Sequence, residues 1–301
     1  MAWPATLDHL QRLRPRPTVE TQRHPAFGVV CPLFGASKVY YTELLSSISA
    51  EATKLGYPIL IAPIADLKYK RTLIAHFPQL LSVAGVILIT CQVEGSTWLE
   101  ECASHNLPVA LVHDNIPEER VRGYSVTSYI RPELAGLRDL VFFLVDRRSR
   151  KNMSIVLVDP QGHAIRTEKL NAIQTALGAR STPEGQVFYV PDYSYTAGCE
   201  VADRILETNP NTDAIVCLAD VTAVAVVHRL KARGKAGSIS VTGFDNIDVA
   251  EYNGIATVDQ QLGHAGRTAV FDLYGAVCAG QLPPIPVSSY IPTTFVRRES
   301  A

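Results

Sequence analysis

From Ala26 onward the chain alternates short, unbroken apolar runs with longer stretches in which apolar residues recur every three or four positions. Unbroken Val/Ile/Leu runs suit strands buried on both faces, whereas the longer spacing turns one stripe of a helix inward. The runs predict strands over 27–31, 58–63, 83–89, 108–113, 154–159, 186–190, 214–219 and 239–244. Between them lies a helix over 39–55, in which Tyr40, Leu44, Ile48 and Ala52 share a buried stripe, Glu43, Glu51 and Lys54 stay wet, and Gly56 ends the element. Further helices are expected over 132–145, after an N-cap at Ser194 or Asp192, over 221–233 before Gly234, and over 262–279; a terminal strand follows near 288–298.

Parallel strands joined by helices cross over right-handedly, so these units build open, doubly wound α/β sheets. A chain of 301 residues with 47% hydrophobic content exceeds one ordinary domain, and two globular units are expected. The polar, basic stretch 146–152, between a helix and a fresh strand, reads as the passage between them.

Charge and composition narrow the function. With 28 Lys+Arg against 29 Asp+Glu the chain has no global basic field for nucleic acid. Its six cysteines, Cys31, Cys91, Cys102, Cys199, Cys217 and Cys278, form no Cys-x-x-Cys pair and read as buried free thiols, with no metal site and no cofactor. Nucleotide-loop, zincin and nucleophile-elbow motifs are absent and the eight histidines are dispersed, so no enzyme is expected. The opening lacks the apolar core of a secretory signal and no run reaches membrane-spanning length; a soluble, cytoplasmic protein with no membrane contact is expected. Residues 1–25, with Arg12, Arg14 and Arg16 interleaved with Pro15 and Pro17, read as a surface or poorly ordered tail.

Several patterns then occur in a telling order. Phe27-Gly28-Val29-Val30-Cys31-Pro32 precedes Tyr40-Tyr41-Thr42-Glu43-Leu44-Leu45, and Ala84-Gly85-Val86-Ile87-Leu88-Ile89 and Leu107-Pro108-Val109-Ala110-Leu111-Val112 follow. The second half carries Asp192-Tyr193-Ser194-Tyr195, Ala219-Asp220-Val221-Thr222, Ile239-Ser240-Val241-Thr242-Gly243-Phe244-Asp245-Asn246, Thr257-Val258-Asp259-Gln260 and the ending Phe295-Val296-Arg297-Arg298-Glu299-Ser300. From Ala26 to Ser300 the chain resembles the effector-binding core of the LacI/GalR family of bacterial transcription regulators, itself similar to periplasmic sugar-binding proteins. The resemblance implies two subdomains with a ligand cleft between them. The first comprises 26–148 plus 260–287 and the second 149–259 plus 288–301.

Ligands of open α/β sheets sit beyond the carboxyl ends of the strands. Asp220, Asp245 and Tyr193 follow three expected strands there: a carboxylate accepts from ligand hydroxyls or amines, and an aromatic face covers the apolar side of a sugar or purine. Asp220 reads equally well as a helix N-cap, Tyr193 as a packed loop aromatic and Asp245 as a turn residue. The resemblance adds Tyr40 and Tyr41 from the other subdomain, Gln260 from a crossover segment, and Lys169, which stands where family members carry an arginine fork. Other departures are Ala219 in place of an asparagine and Val126-Thr127-Ser128 in place of Val-Asp-Asn. The 25 residues before Ala26 are too few for a helix-turn-helix head and a hinge helix. The implied protein is a homodimeric, ligand-sensing regulator core for a small effector, sugar-like or a nucleoside, reaching operator DNA only through a head absent from this chain. The alternative is a solute-binding protein for uptake or chemoreception.

Overall fold

The structure is a computed structural model and describes residues 25–31, 38–63, 83–89, 95–113, 124, 126–158, 167–178, 186–280 and 287–301. The expected tail and Cys91 lie outside these residues.

The first apolar runs become β1 (Ala26–Cys31), β2 (Ile59–Pro63), β3 (Val83–Ile89) and β4 (Val109–Val112). With β5 (Val126–Pro132) and the distant β11 (Val287–Ile291) they form one sheet in the order β11-β5-β4-β3-β1-β2. Every pairing in it is parallel. On one face Val29, Ile87, Ala110 and Ile130 pack against α1 (Lys38–Lys54) and α8 (Leu262–Ala279). On the other, Val30, Leu88, Leu111 and Tyr129 meet Leu99 and Cys102 of α2 (Gly95–Ser104). The two helices on the first face cross at Gly266, where a Cβ would lie 2.0 Å from Ser47 Oγ, so only glycine allows that approach.

A second parallel sheet, in the order β7-β6-β8-β9, uses β6 (Met153–Val158), β7 (Val187–Val190), β8 (Ala214–Cys217) and β9 (Ser240–Thr242). One face is covered by α3 (Ala135–Phe142, continued as a π-helical turn to Arg147) and α4 (Thr167–Leu177). The other is covered by α5 (Tyr195–Thr208) and α6 (Asp220–Ala232). Beyond β9 lie the short α7 (Asp248–Tyr252) and an antiparallel pair, β10 (Thr257–Asp259) with β12 (Thr294–Val296). Both sheets reverse their strand order beside the first strand, between β1 and β3 and between β6 and β8, which are the positions where α/β sheets open crevices.

Several expectations change. The passage between the units is not 146–152 but the segment after β5, because Leu137, Leu140, Val141 and Leu144 belong to the apolar cluster of Met153, Ile155 and Leu157. The basic stretch is a surface turn within the second unit, its Lys151 and Asn152 amides donating to Asp213 at 2.8 and 3.0 Å. The helix 135–147 therefore packs with the second unit rather than the first. The terminal strand is two strands: 287–291 extends the first sheet, so residues 288–291 leave the second unit, and 294–296 pairs with β10.

Others concern side chains. In α1 the inward residue is Tyr41, with Leu44, Leu45, Ile48 and Ala52, while Tyr40 is only half-buried. Glu51, expected wet, is buried and accepts from Lys54 Nζ at 2.9 Å. Of the thiols, Cys31, Cys102 and Cys217 are buried, but Cys199 is half-buried and Cys278 exposed. Strand β5 escaped the sequence reading because its first residues are Val126, Thr127 and Ser128; the Thr127 hydroxyl satisfies itself inside by donating to the Val109 carbonyl at 3.0 Å.

Candidate functional site

The segments leaving the carboxyl ends of β7, β8, β9 and β10 bring Tyr193, Asp220, Asp245 and Gln260 to one end of the second unit. Ser194 N-caps α5 by accepting from the Ala197 amide at 3.1 Å, and Asp192 Oδ1 accepts from the Ser194 amide at 2.7 Å. These two bonds fix the turn that carries Tyr193.

Asp245 occupies a strained backbone position, φ 123°, followed by Asn246 at φ 58°. The turn is held from three sides. The Asp245 amide donates to the Val258 carbonyl at 3.0 Å, Arg298 Nη2 donates to Asn246 Oδ1 at 2.8 Å, and Arg298 Nη1 donates to the Ile255 carbonyl at 2.9 Å. Gln260, almost fully buried, donates from Nε2 to Asp245 Oδ1 at 2.5 Å. Burial, then the neighbouring Asp220 charge, raises the Asp245 carboxyl well above the usual range, against the pull of Lys169 and the Gln260 bond.

Asp220 is withdrawn from the crevice. It is fully buried at the first residue of α6, Oδ1 accepts from Thr257 Oγ1 at 2.5 Å, and Oδ2 accepts from the Ile247 amide at 3.0 Å. Burial pushes its carboxyl up to about 6, and the bonds from Thr257, Ile247 and Asn246 hold it from rising further. Oδ2 ties the loop after β9 to α6 and Oδ1 ties β10 to it, and the helix N-cap is Ala219 rather than Asp220. Asp220 therefore shapes the wall on which Asp245 stands.

The first unit faces this group with Tyr40 and His113. Tyr40 Oη and His113 Nδ1 are hydrogen-bonded, and Tyr40 stands edge-on to Tyr41, ring centroids 5.1 Å apart. The Tyr40 hydroxyl is held well above its usual range by burial, then by Asp245, Tyr41, Tyr193 and Glu43, which places residues of both units around it. Tyr41 turns into the core beside Leu44 and Ile48, which removes it from the crevice. Lys169 lies on α4 with Nζ 3.7 Å from the centre of the Phe244 ring, a cation on an aromatic face beside Asp245.

His113 was missed by sequence reasoning. It follows β4 in a left-handed conformation, φ 51°, is 9% exposed, and its Nε2 is buried with no hydrogen-bond partner among the described residues. Burial, then the Lys169 charge, pushes it down to about 3, so the ring is neutral. A neutral imidazole with one nitrogen committed to Tyr40 offers a single directed bond from the other. The only available sequence signal was a histidine immediately after a buried apolar run. Among the described residues no group of three His, Cys, Asp or Glu side chains could hold a metal ion.

A family model described as the periplasmic binding protein-like domain matches residues 141–301. The chain belongs to that family. As a periplasmic binding protein-like chain it has relatives among regulators: it is 30% identical over 145 residues to an HTH-type transcriptional regulator of Mycolicibacterium smegmatis, covering 47% of this chain and 38% of that protein. It is 27% identical over 251 residues to catabolite control protein A of Priestia megaterium, covering 80% of this chain and 72% of that one. The first alignment thus spans well under half of its regulator. Among solved structures, a transcriptional regulator CelR–cellobiose complex matches with TM-score 0.78 and 20% identity over 94% of this chain and 86% of that chain. A LacI family regulator from Enterococcus faecium with bound ribose matches with TM-score 0.76 and 18% identity over 92% of this chain and 98% of that one. These structures share the two-sheet α/β fold, and the LacI/GalR resemblance read from the motifs agrees with them.

Proposed function

We propose that this chain is the ligand-sensing core of a LacI/GalR-type transcription regulator, which binds a small polyhydroxylated effector, a sugar or a nucleoside, in the crevice between its units. The observation that carries the reading is the pairing of Asp245, oriented by Gln260, with the His113–Tyr40 pair across the crevice. Asp245 supplies acceptors for ligand hydroxyls, Gln260 and His113 supply directed polar bonds, and Tyr193 and Tyr40 supply aromatic faces. Where an arginine would grip oxygens with a planar fork, Lys169 offers one ammonium, so recognition leans on Asp245.

A ligand that touches both units favours their closed arrangement by the difference between its affinities for the closed and open forms. In a homodimer, closure in each copy biases the spacing of paired DNA-reading heads, which would be the regulatory output. The regulator relatives favour this over a solute-binding protein, and a cytoplasmic site of action goes with it. Among the described residues no helix is long and apolar enough to cross a membrane.

A thermal-shift screen of sugars, sugar phosphates, nucleosides and purines tests the proposal, since a ligand at about 100 times its Kd adds about 2.7 kcal/mol. A neutral sugar or nucleoside is expected to raise Tm in the wild type and to raise it clearly less in Asp245→Ala. Absence of any shift across the screen at millimolar ligand overturns it. Sedimentation equilibrium at micromolar protein is expected to give twice the chain mass.

A further inference from the structure

A second ligand site lies at the junction of the two units, apart from the crevice. A groove of about 560 Å³ is lined there by Arg131, Glu133, Arg138, Glu168 and Tyr290, with Pro132, Leu134 and Ala135 at its base. None of the crevice residues lines it. Its volume lies within the range of small-molecule sites.

The chemistry of the groove is organised. Arg131 and Tyr290 are direct neighbours across the parallel β5/β11 pair and so project from the same face of the sheet. The Arg131 guanidinium lies 3.7 Å from the centre of the buried Tyr129 ring, and Tyr290 beside it on the sheet is 54% exposed. An exposed phenol ring next to a cation offers a face on which a planar ring stacks. Arg138, one turn into α3, is exposed, and its guanidinium makes no hydrogen bond or ion pair among the described residues. The N-cap of α3, Leu134, provides no side-chain acceptor and of the first-turn amides Gly136 is taken by the Thr293 hydroxyl, while the positive end of the helix still adds to the field at this end of the groove. Glu133 and Glu168 complete it as acceptors, likewise without side-chain partners among the described residues.

We infer that this groove binds a mononucleotide, with its phosphate on Arg138 and Arg131, its base on Tyr290, and its amino or hydroxyl groups toward Glu133 and Glu168. Guanidinium forks match phosphate oxygens, and a ligand that carries both an anion and several donors uses the arginines and the glutamates together. The position gives the site a consequence. Arg131 and Tyr290 belong to the first sheet, whereas Arg138 and Glu168 lie on helices packed in the second unit. Glu168 also precedes Lys169 on α4, so one helix carries a side chain to the groove and the next to the crevice. A nucleotide bridging both walls favours one angle between the units, and the crevice ligand and the nucleotide then change each other's affinity by the same factor.

Calorimetric titration of the full chain with AMP tests this, with adenosine, inorganic phosphate and phenylalanine as separate titrants. AMP is expected to bind saturably, phosphate at least about tenfold more weakly, adenosine likewise when titrated into Asp245→Ala, whose crevice is disabled, and phenylalanine not at all. Arg138→Ala and Tyr290→Ala, two exposed substitutions whose Tm should stay at the wild-type value, are each expected to weaken AMP about tenfold or more, while Asp245→Ala leaves AMP binding unchanged. No saturable heat up to millimolar AMP overturns the site. So does AMP binding that Asp245→Ala abolishes and Arg138→Ala leaves intact, which puts the nucleotide in the crevice, and so does tighter binding of phenylalanine than of AMP. Failure here leaves the sugar screen on the crevice unaffected, so the two readings are separable.

Discussion

Gly243 lies so close over Asp220 that a Cβ at position 243 would be 2.1 Å from Asp220 Oδ1 and 3.2 Å from Asp220 Cα. The loop leaving β9 therefore runs directly across the first turn of α6, and the carboxylate beneath it binds the Thr257 hydroxyl and the Ile247 amide. A methyl group there must lift the loop or break those bonds. Gly243→Ala is expected to cost roughly 2–4 kcal/mol, combining overpacking with the loss of a buried hydrogen bond. Urea unfolding measures it, and a loss below about 0.5 kcal/mol would show that the loop yields freely.

Two buried groups give opposite dependences of stability on pH. His113 falls from 6.5 to about 3 on folding, so its contribution is full above 6.5 and is lost as pH drops toward 3, where the unfolded chain takes up the proton first. Asp220 rises from 3.8 to about 6, so the folded state keeps a proton that the unfolded chain releases, and stability falls as pH climbs through that window. Between about pH 4 and 6 the two slopes, each at most about 1.4 kcal/mol per pH unit, oppose one another. In His113→Asn, a residue that tolerates the left-handed backbone, stability is expected to decline with rising pH across this range. Chemical denaturation at pH 4, 5 and 6 checks the sign, and a rising trend in the variant would contradict it.

For the crevice, Asp245→Ala is expected to weaken a sugar-like effector by about 1.5–3 kcal/mol, roughly tenfold to a hundredfold, because ligand donors lose their acceptor. Tyr193→Ala is expected to cost less, mainly through lost apolar contact. His113→Asn adds a test of the unpartnered Nε2: a loss of affinity in it ties the imidazole to the ligand. Calorimetry with a ligand from the screen decides, and unchanged affinity in all three variants would mean that the crevice is not the effector site.

The junction between the units is stitched by Thr293. Its Oγ1 donates to the Glu133 carbonyl at 2.8 Å and accepts from the Gly136 amide at 2.9 Å, linking the segment after β5 to the segment after β11. Thr293→Val keeps the shape and removes both bonds, for an expected loss of about 1–3 kcal/mol. Hydrogen exchange should quicken at the Gly136 amide while the protection of β1 and β8 stays the same. Unaltered exchange at Gly136 would show that the side chain is not what holds the junction.

The sequence by itself determined the repeated strand–helix units, and in β3 and α8 even their limits, because continuous apolar runs and three-to-four spacing act locally. It also marked Asp245, Tyr193, Gln260 and Lys169, which lie where short motifs leave strands or enter helices. Tertiary structure decided the rest. Whether Tyr40 or Tyr41 turns inward depends on where α8 crosses α1, since adjacent residues on a helix differ by about 100° and either could lead. The allegiance of α3 follows from which sheet its Leu137 and Leu140 reach, which no local pattern encodes. Strand β11 reaches the first sheet only by pairing with a partner more than a hundred residues earlier, and β5 carries the buried Thr127 hydroxyl, whose bond exists only once β4 lies beside it. What Asp220 and His113 can offer depends on the same long-range contacts: donors from Thr257 and Ile247 converge on Asp220, while Tyr40 occupies one nitrogen of His113 and leaves the other buried with no hydrogen-bond partner among the described residues. Burial and long-range hydrogen bonding set what each polar side chain can offer, and both are properties of the assembled fold.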